Sequence, residues 1–455
     1  MTANSCPFTN AMPPQRLPFS MASAPGALPL LGHAIKMLRA PQKFLASLPS
    51  HGDLVEVRMG PWRIHVLCHP ELVHRVLTTD KVFDKGGPMI DRLRMLIGDG
   101  LASCPHDRHR RRRRLVQPAF QRKRLSLYAD VMTEQITGVT SAWRDGQVLD
   151  LHSEMSRIST RVLAGTMFTA DFCGSAIATV SPYSEMIAKD MTRRLLTPEF
   201  LRRVPTRGKR RFDRVTRDLH SAVLAMADRY RRTGTDRGDL MSMLLEARDD
   251  GDRLSDEEIF GEVVTMILAG TETVAYTLDH AFRFLARHPG VEEELHAEVD
   301  SVLNGRSATW DDLPRLGLAE RILRETLRLN PNDWLVTRQT TEDTELAGRL
   351  LPAGSLVAYC GYAIHRRADL YPQPERFLPG RWENQQRLPS DGTFLAFGEG
   401  GRRCIGDVFG MVEGTLALST IAARWRFESV RAGRLRPTLR MPCFARPKSM
   451  RAVAR

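Results

Sequence analysis

The chain has 455 residues, 42% of them hydrophobic and 26% charged, which excludes a disordered chain and allows a core large enough to enclose a cavity. Lys and Arg number 66 against 53 Asp and Glu, and the net charge of +13 favours acidic partners over basic ones. The seven cysteines (Cys6, Cys68, Cys104, Cys173, Cys360, Cys404 and Cys443) form no CxxC pair, which leaves the usual zinc and iron–sulfur spacings without support.

Residues 1–24 read as a polar, proline-bearing tail without a signal peptide, and no apolar run long enough for a transmembrane anchor follows. The expected setting is a reducing cytoplasm, with peripheral membrane contact left open. Residues 25–455 read as one large domain, entered through the stiff apolar run Pro25-Gly26-Ala27-Leu28-Pro29-Leu30-Leu31-Gly32. Val, Ile and aromatic residues from Asp53 to Val66 flank Gly60-Pro61 and predict a short hairpin. The run His109-Arg110-Arg111-Arg112-Arg113-Arg114 places five arginines on a helix, more than one site can use, so most of them are expected on a solvated basic face. An arginine run also suits nucleic acid, but no stacking platform or recognised module accompanies it. From about 120 to 300 the pattern is mainly helical, with an exposed loop at Arg231–Gly238. Asp249-Asp250-Gly251-Asp252 reads as a solvated turn, a poor match to the acidic helix cluster of a terpene cyclase.

Ser255-Asp256-Glu257-Glu258 is a capping box, and the helix it starts runs to about Arg287, before His288-Pro289-Gly290. Its middle, Val263 to Leu278, is apolar on nearly every face, so this helix belongs at the centre of the molecule. From Thr340 to Ala358 short strands alternate with Gly348 and Pro352-Ala353-Gly354. A proline-rich stretch, Tyr371–Gly392, follows, and a last helix is expected from near Ile405 to Ala423. The fold class is mainly α with small β-sheets; the lack of repeated strand–helix alternation argues against a Rossmann or barrel fold.

Phe397-Gly398-Glu399-Gly400-Gly401-Arg402-Arg403-Cys404-Ile405-Gly406 puts three glycines in four positions before a cysteine at an expected helix start. Such a loop lets the backbone approach a flat ligand, and amide dipoles at a helix start favour a thiolate. Taken alone, a buried free cysteine beside a flexible turn explains the segment about as well.

The whole segment resembles the Phe-Gly-x-Gly-x-Arg-x-Cys-x-Gly signature of the cytochrome P450 family at every fixed place, and the likeness runs from about Pro25 to the C-terminus. It implies a cytochrome P450 fold with the long helix over a heme b. Cys404 would be the iron ligand, Arg402 would meet a haem propionate and Phe397 would pack near the thiolate side. Glu325-Thr326-Leu327-Arg328 is similar to the family's Glu-x-x-Arg motif, with Arg381 in Phe377-Leu378-Pro379-Gly380-Arg381-Trp382 as third member; Gly380 stands where the family often has Glu. An exposed helical ion pair, worth about 0.2–0.5 kcal/mol, is the plainer reading of Glu325 and Arg328. Ala269-Gly270-Thr271-Glu272-Thr273 resembles the oxygen-activation motif, with Val274 where Thr or Ser is common. That likeness gives Thr273 a hydrogen bond to iron-bound oxygen and Glu272 a proton relay; otherwise Thr273 bonds its own i−4 carbonyl and Glu272 is an ion-pair partner. His109 with Arg113, Arg338 and His365 would contact the propionates, while His106 with Arg110 offers a competing register.

By this resemblance the chain is a haem monooxygenase that hydroxylates an apolar small molecule with O2. No internal FAD, FMN or iron–sulfur segment is evident, so electrons would come from a ferredoxin and ferredoxin reductase, and the basic face would help that encounter. The protein is expected to be a cytoplasmic monomer that binds no nucleic acid. Met89, Ile90, Leu93, Met95, Leu96 and Ile97, then Ile267, Leu268 and Thr271, then Trp334, Leu335 and Val336, are candidate pocket residues. Arg-Leu-x-Pro-x-x-Trp at Arg328–Trp334 is similar to bacterial sesquiterpene oxidases, which implies a sesquiterpene such as pentalenene and, with repeated turnover, an aldehyde. A haem-thiolate binding or sensing protein without catalysis is the other reading.

Overall fold

A computed structural model of the chain describes residues 19–168, 206–233, 238–248, 251–385, 387–430 and 449–455, with scattered positions between 177 and 186. Cys6, Cys173, Cys443, most of the N-terminal tail, the pair Asp249-Asp250, the middle of the Arg231–Gly238 loop and the Leu96 side chain lie outside the described residues.

Six helices position the site: α1 (His106–Val116), α2 (Arg122–Thr140), α3 (Leu151–Met167), α4 (Asp256–Leu285), α5 (Gly317–Leu329) and α6 (Asp407–Ala422). The expected capping box starts α4. Ser255 Oγ accepts the Glu258 N–H at 3.3 Å and Glu258 Oε2 accepts the Ser255 N–H at 2.9 Å. Its 30 residues make a rod of roughly 45 Å. The helix is long and apolar enough to cross a membrane, but 67% of its apolar window is buried inside the fold, as befits a core helix. It packs along α3, and Gly270 permits this approach, since a Cβ there would meet Leu163 Cδ1 at 3.3 Å.

The strands are β1 (Met21–Ser23), β2 (Leu54–Met59), β3 (Trp62–Leu67), β4 (Phe83–Asp84), β5 (Val148–Leu149), β6 (Val336–Thr340), β7 (Thr344–Leu346), β8 (Arg349–Leu351), β9 (Leu356–Tyr359), β10 (Trp425–Ser429) and β11 (Met450–Ala454). The larger sheet runs β1-β2-β3-β9-β6-β4, and the others are β10-β11-β5 and β7-β8. The expected hairpin is β2–β3, turning at Gly60 with φ +60°. Antiparallel pairing of β6 with β9 sets Val336 opposite Tyr359, and pairing with β4 sets Gln339 opposite Asp84. Asp84, Arg338 and Tyr359 are thereby gathered at one end of the sheet.

The surface ion-pair reading of Glu325 and Arg328 is overturned: both side chains are wholly buried. Arg328 donates Nε to Glu325 Oε2 at 2.9 Å and Nη2 to Oε1 at 2.8 Å. Its Nη1 donates to the carbonyls of His365 and Pro374, both at 2.8 Å, and Nη2 also to that of Arg376. Glu325 further accepts Arg381 Nε at 3.1 Å, Trp382 Nε1 at 2.9 Å and the Leu378 N–H at 3.0 Å. This network clamps α5 to the proline-rich segment, and every polar atom of the carboxylate is in use.

On α6, Glu413 is fully buried, and neither carboxyl oxygen has a hydrogen-bond partner among the described residues. Burial pushes its pKa up to about 8, although the facing Ser159 hydroxyl pulls the other way. A carboxyl that is neutral when folded, and ionises near its ordinary value when unfolded, stabilises the fold fully at low pH. That contribution is lost as pH rises from the carboxylate range through about 8. Glu413→Gln is therefore expected to flatten the alkaline fall in melting temperature between pH 6 and pH 9 (approximate bounds set by that value), as read by calorimetry. An unchanged profile would show that Glu413 is charged in the folded state.

Candidate active site

One cavity of about 310 Å³ lies between α4 and the cysteine loop. Its roof is a single face of α4: Met266, Ala269, Gly270, Thr273, Val274 and Thr277. Phe397, Gly398 and Arg402–Gly406 line the opposite wall, Val336, Arg338 and Tyr359 come from the sheet, and His109 and Arg113 come from α1.

The loop is folded by its own backbone. The Cys404 N–H donates to Phe397 O at 2.8 Å, and Gly398 and Gly400 sit at φ +63° and +66°. At Gly400 a Cβ would also stand 2.1 Å from the Leu77 carbonyl oxygen, so glycine is required there twice over. The final helix begins at Asp407 rather than near Ile405, because four residues, the last of them the N-cap Gly406, separate it from a 3-10 turn at Gly400–Arg402. Cys404 thus precedes the helix instead of capping it. Burial pushes its thiol up to about 11 against the opposing pull of the Gly406 N–H and Arg113. Helix dipoles alone therefore do not make it a thiolate; coordination by a metal ion would.

Around the same cavity stand Lys85, His109, Arg113, Arg338 and Arg402. Arg402 is anchored by Asp84 and by the Cys104 carbonyl at 2.8 Å, while its buried Nε has no partner among the described residues. Arg113 donates to the Arg403 carbonyl, and Arg338 Nη1 to the Thr337 carbonyl at 2.9 Å. Burial first, then repulsion from Arg338 and Arg402, lowers Lys85 to about 7; burial and the same kind of crowding lower His109 to about 3 and depress Arg338. Crowded cations with depressed pKa values mark a place for a multiply charged anion. A thiol facing a cavity with such a cluster around it fits a haem, whose iron Cys404 would hold and whose two propionates the cations would meet. His106 lies near Asp80 at 3.6 Å and outside the lining, so His109 and Arg113 are the pair that the cavity receives.

Three expectations need correction. His365 does not reach the cavity: Nδ1 contacts Arg328 O at 2.9 Å, Nε2 accepts the Leu395 N–H at 2.8 Å, and the ring stacks on Phe394. Both nitrogens are occupied by main chain, which makes it a brace for the Arg328 network. Among the candidate pocket residues whose side chains are described, only Val336 lines the cavity. Ile267 and Thr271 face away, Thr271 donating to Ile267 O at 2.7 Å, because they stand two residues from the 265–269–273–277 stripe. Trp334 and Leu335 pack in another cluster, and Met89 and Met95 are exposed. The five arginines also divide differently: Arg111 pairs with Asp252 and Glu258, buried Arg112 with Glu258 and Glu262, and only Arg110 and Arg114 are exposed.

Thr273 lines the cavity with its hydroxyl on the Ala269 carbonyl, the i−4 bond anticipated as its plainer role. Glu272 is buried on the α3 side of the helix. Its Oε1 accepts Ser156 Oγ at 3.0 Å and its Oε2 stands 3.3 Å from His152 Nε2. The two residues therefore share a turn but not a face. Sequence reasoning missed Lys85, Tyr359, Asn332 and Asp333 on the lining. Asn332 and Asp333 lie within the Arg-Leu-x-Pro-x-x-Trp run and were the detectable ones.

A mainly α fold, a cysteine loop and a cation-edged cavity define a haem-thiolate class of protein. The cytochrome P450 family model matches residues 23–453, and the chain belongs to the cytochrome P450 family. It is 44% identical to cyclooctatin synthase of Streptomyces melanosporofaciens, covering 94% of each chain. It is 43% identical to pentalenene oxygenase of Streptomyces avermitilis, over 90% of this chain and 91% of that one. Cyclooctat-9-en-7-ol 5-monooxygenase of Streptomyces melanosporofaciens is 41% identical over 93% of each. The chain is a cytochrome P450 monooxygenase with a haem-thiolate cofactor, using O2 and electrons from redox partners.

Proposed function

We propose that this monooxygenase hydroxylates a terpene, such as a sesquiterpene of the pentalenene kind, and carries some of it on to an aldehyde. The observation that carries the reading is the Cys404 thiol facing the Ala269–Thr273 stretch of α4 across a cavity whose apolar lining comes mostly from Leu, Met, Ala and Val side chains. Such a wall removes apolar surface from water and orients a hydrocarbon by shape. Likeness to enzymes named for pentalenene and for cyclooctat-9-en-7-ol supports a terpenoid substrate.

Bound haem supplies the oxygen activation and the hydroxylation chemistry. Cys404 holds the iron; Arg402, Arg338, Arg113 and neutral His109, with Lys85, hold the carboxylates; Phe397 packs near the sulfur side. Thr273 places the helix's polar hydroxyl on the cavity face, and Glu272, one position away, serves the proton relay. A protein that only bound or sensed a ligand would have no use for that pair. Electrons come from a ferredoxin and its reductase, which dock on the exposed Arg110 and Arg114 by charge, with no internal flavin or iron–sulfur group. The enzyme works as a cytoplasmic monomer, its residues 25–455 forming one haem domain.

Purified haem-loaded protein with a surrogate ferredoxin, reductase and NADPH, offered terpene hydrocarbons and terpene alcohols, is expected to add one oxygen atom to at least one of them by mass spectrometry. A haem-loaded preparation that oxygenates nothing across the panel would overturn the substrate reading.

A further inference from the structure

Glu272 is the second member of a polar seam between α3 and α4 that the cavity does not use. From solvent inward the seam begins at His152, whose side chain is 14% exposed, and reaches Glu272, at 8%. Their nearest atoms, Nε2 and Oε2, stand 3.3 Å apart. Ser156, one turn along α3 from His152, donates to the other carboxylate oxygen at 3.0 Å. Glu272 Oε2 accepts no hydrogen bond among the described residues, so its contact with His152 is one of charge at 3.3 Å. The carboxylate is therefore held by one hydroxyl donor on one oxygen and faced by one titratable imidazole on the other, the imidazole opening to water.

We infer that His152 is the positioning residue that reloads Glu272 with protons during turnover. In the step, the Nε2–H bond of the imidazolium breaks and an Oε2–H bond forms. The neutral imidazole then takes a proton from water at its exposed edge. Once protonated, Glu272 loses its ionic tie to His152 and keeps only the Ser156 contact. Its side chain is then free to turn towards the adjacent Thr273 side of α4.

The charges that act on His152 come from both helices. Glu272 and Asp279 lie on α4, and Asp150 caps α3. Further along, His280 sits 3.7 Å from Asp279, and Asp279 is paired with Arg283 at 2.8 Å. Burial would strip the imidazolium of its proton, but Glu272, Asp279 and Asp150 more than offset that, and its pKa is raised. The raised value favours the proton-loaded form over that of a free imidazole, and that form is lost as pH rises through it.

The inference rests on Glu272 being the proton-handling group, so the test includes both residues. Histidine-labelled holoenzyme in the diamagnetic carbon-monoxide-bound state gives the His152 titration by NMR, with the signal assigned by its absence in His152→Gln. Product and hydrogen peroxide per NADPH are then measured against pH for wild type, H152Q, H152K and E272Q. The expected result is a wild-type product yield that falls on the alkaline side with the midpoint of the His152 titration. H152Q should lose that limb and raise the peroxide-to-product ratio roughly tenfold, while its carbon monoxide spectrum and substrate-binding spectrum stay unchanged. H152K should restore coupling and move the limb up by about two pH units or more, since an ammonium gives up its proton later. An H152Q enzyme with the wild-type limb and ratio, or an H152K enzyme with no shift, would overturn the role of His152. Normal coupling in E272Q would overturn the role of Glu272 and this inference together.

Discussion

Cys404→Ala protein, supplied with haem, is expected to show no thiolate-type spectrum with carbon monoxide, whereas Cys360→Ala keeps it. Among the four described cysteines, Cys404 alone lies on the cavity lining. Cys360 is buried in an apolar cluster with Cys68 and Ala363, and burial pushes its thiol up to about 12. Cys68 is pushed up to about 12 in the same cluster. Cys104 turns its Sγ toward the Leu101 carbonyl at 3.8 Å and offers only its own carbonyl to Arg402. Loss of an axial ligand removes the electronic character of the centre as well as one bond, so activity should fall to background. Cys404→Ser separates the two effects: an oxygen ligand holding haem with an altered spectrum would show that sulfur donation, and not seating, is what is lost. A thiolate spectrum surviving in Cys404→Ala would disprove the ligand assignment.

The second large effect lies far from the chemistry. Glu325→Ala leaves a wholly buried Arg328 guanidinium without its carboxylate and orphans the donors of Arg381 and Trp382. Breaking a buried pair this way costs about 3–5 kcal/mol. Because α5 and the proline-rich segment meet through that carboxylate, the loss should appear as a lower denaturant midpoint and poor haem retention. Arg381→Ala is expected to cost less, since its side chain is 12% exposed and makes only one contact to Glu325 Oε1. Equal destabilisation by the two substitutions would show that the network acts as a whole and not through the central pair.

The parts of the site legible in sequence are those where spacing alone fixes geometry. Ala269 and Thr273 share a face because they are four apart in a helix. The cysteine loop is legible because several places in a short segment each demand one residue type. Glu325 and Arg328 were legible as a pair, but their burial was not, since it depends on Leu378, Arg381 and Trp382 arriving from about fifty residues away. His365 failed for a related reason: a histidine near an arginine-rich segment looks like an anion contact until the backbone groups of Arg328 and Leu395 take both nitrogens. The pocket residues failed by rotation, because an α4 middle that is apolar on every face carries no periodic mark of which stripe meets the cavity. Lys85 was invisible because β4 brings it to the site only through sheet pairing.

The glycines of the cysteine loop also limit how this enzyme can vary. At Gly400 a methyl group would stand 2.1 Å from the Leu77 carbonyl oxygen, and at Gly392 2.0 Å from that of Pro70. Both oxygens belong to main chain of the Pro70–Thr78 helix, which cannot swing aside as a side chain can. At Gly406, by contrast, the nearest obstacle is the Phe120 ring at 3.9 Å, and φ is negative. Mutational libraries aimed at new chemistry should therefore tolerate change just after the cysteine and collapse just before it. The heritable freedom of this centre is asymmetric, fixed by a helix that never touches the substrate cavity.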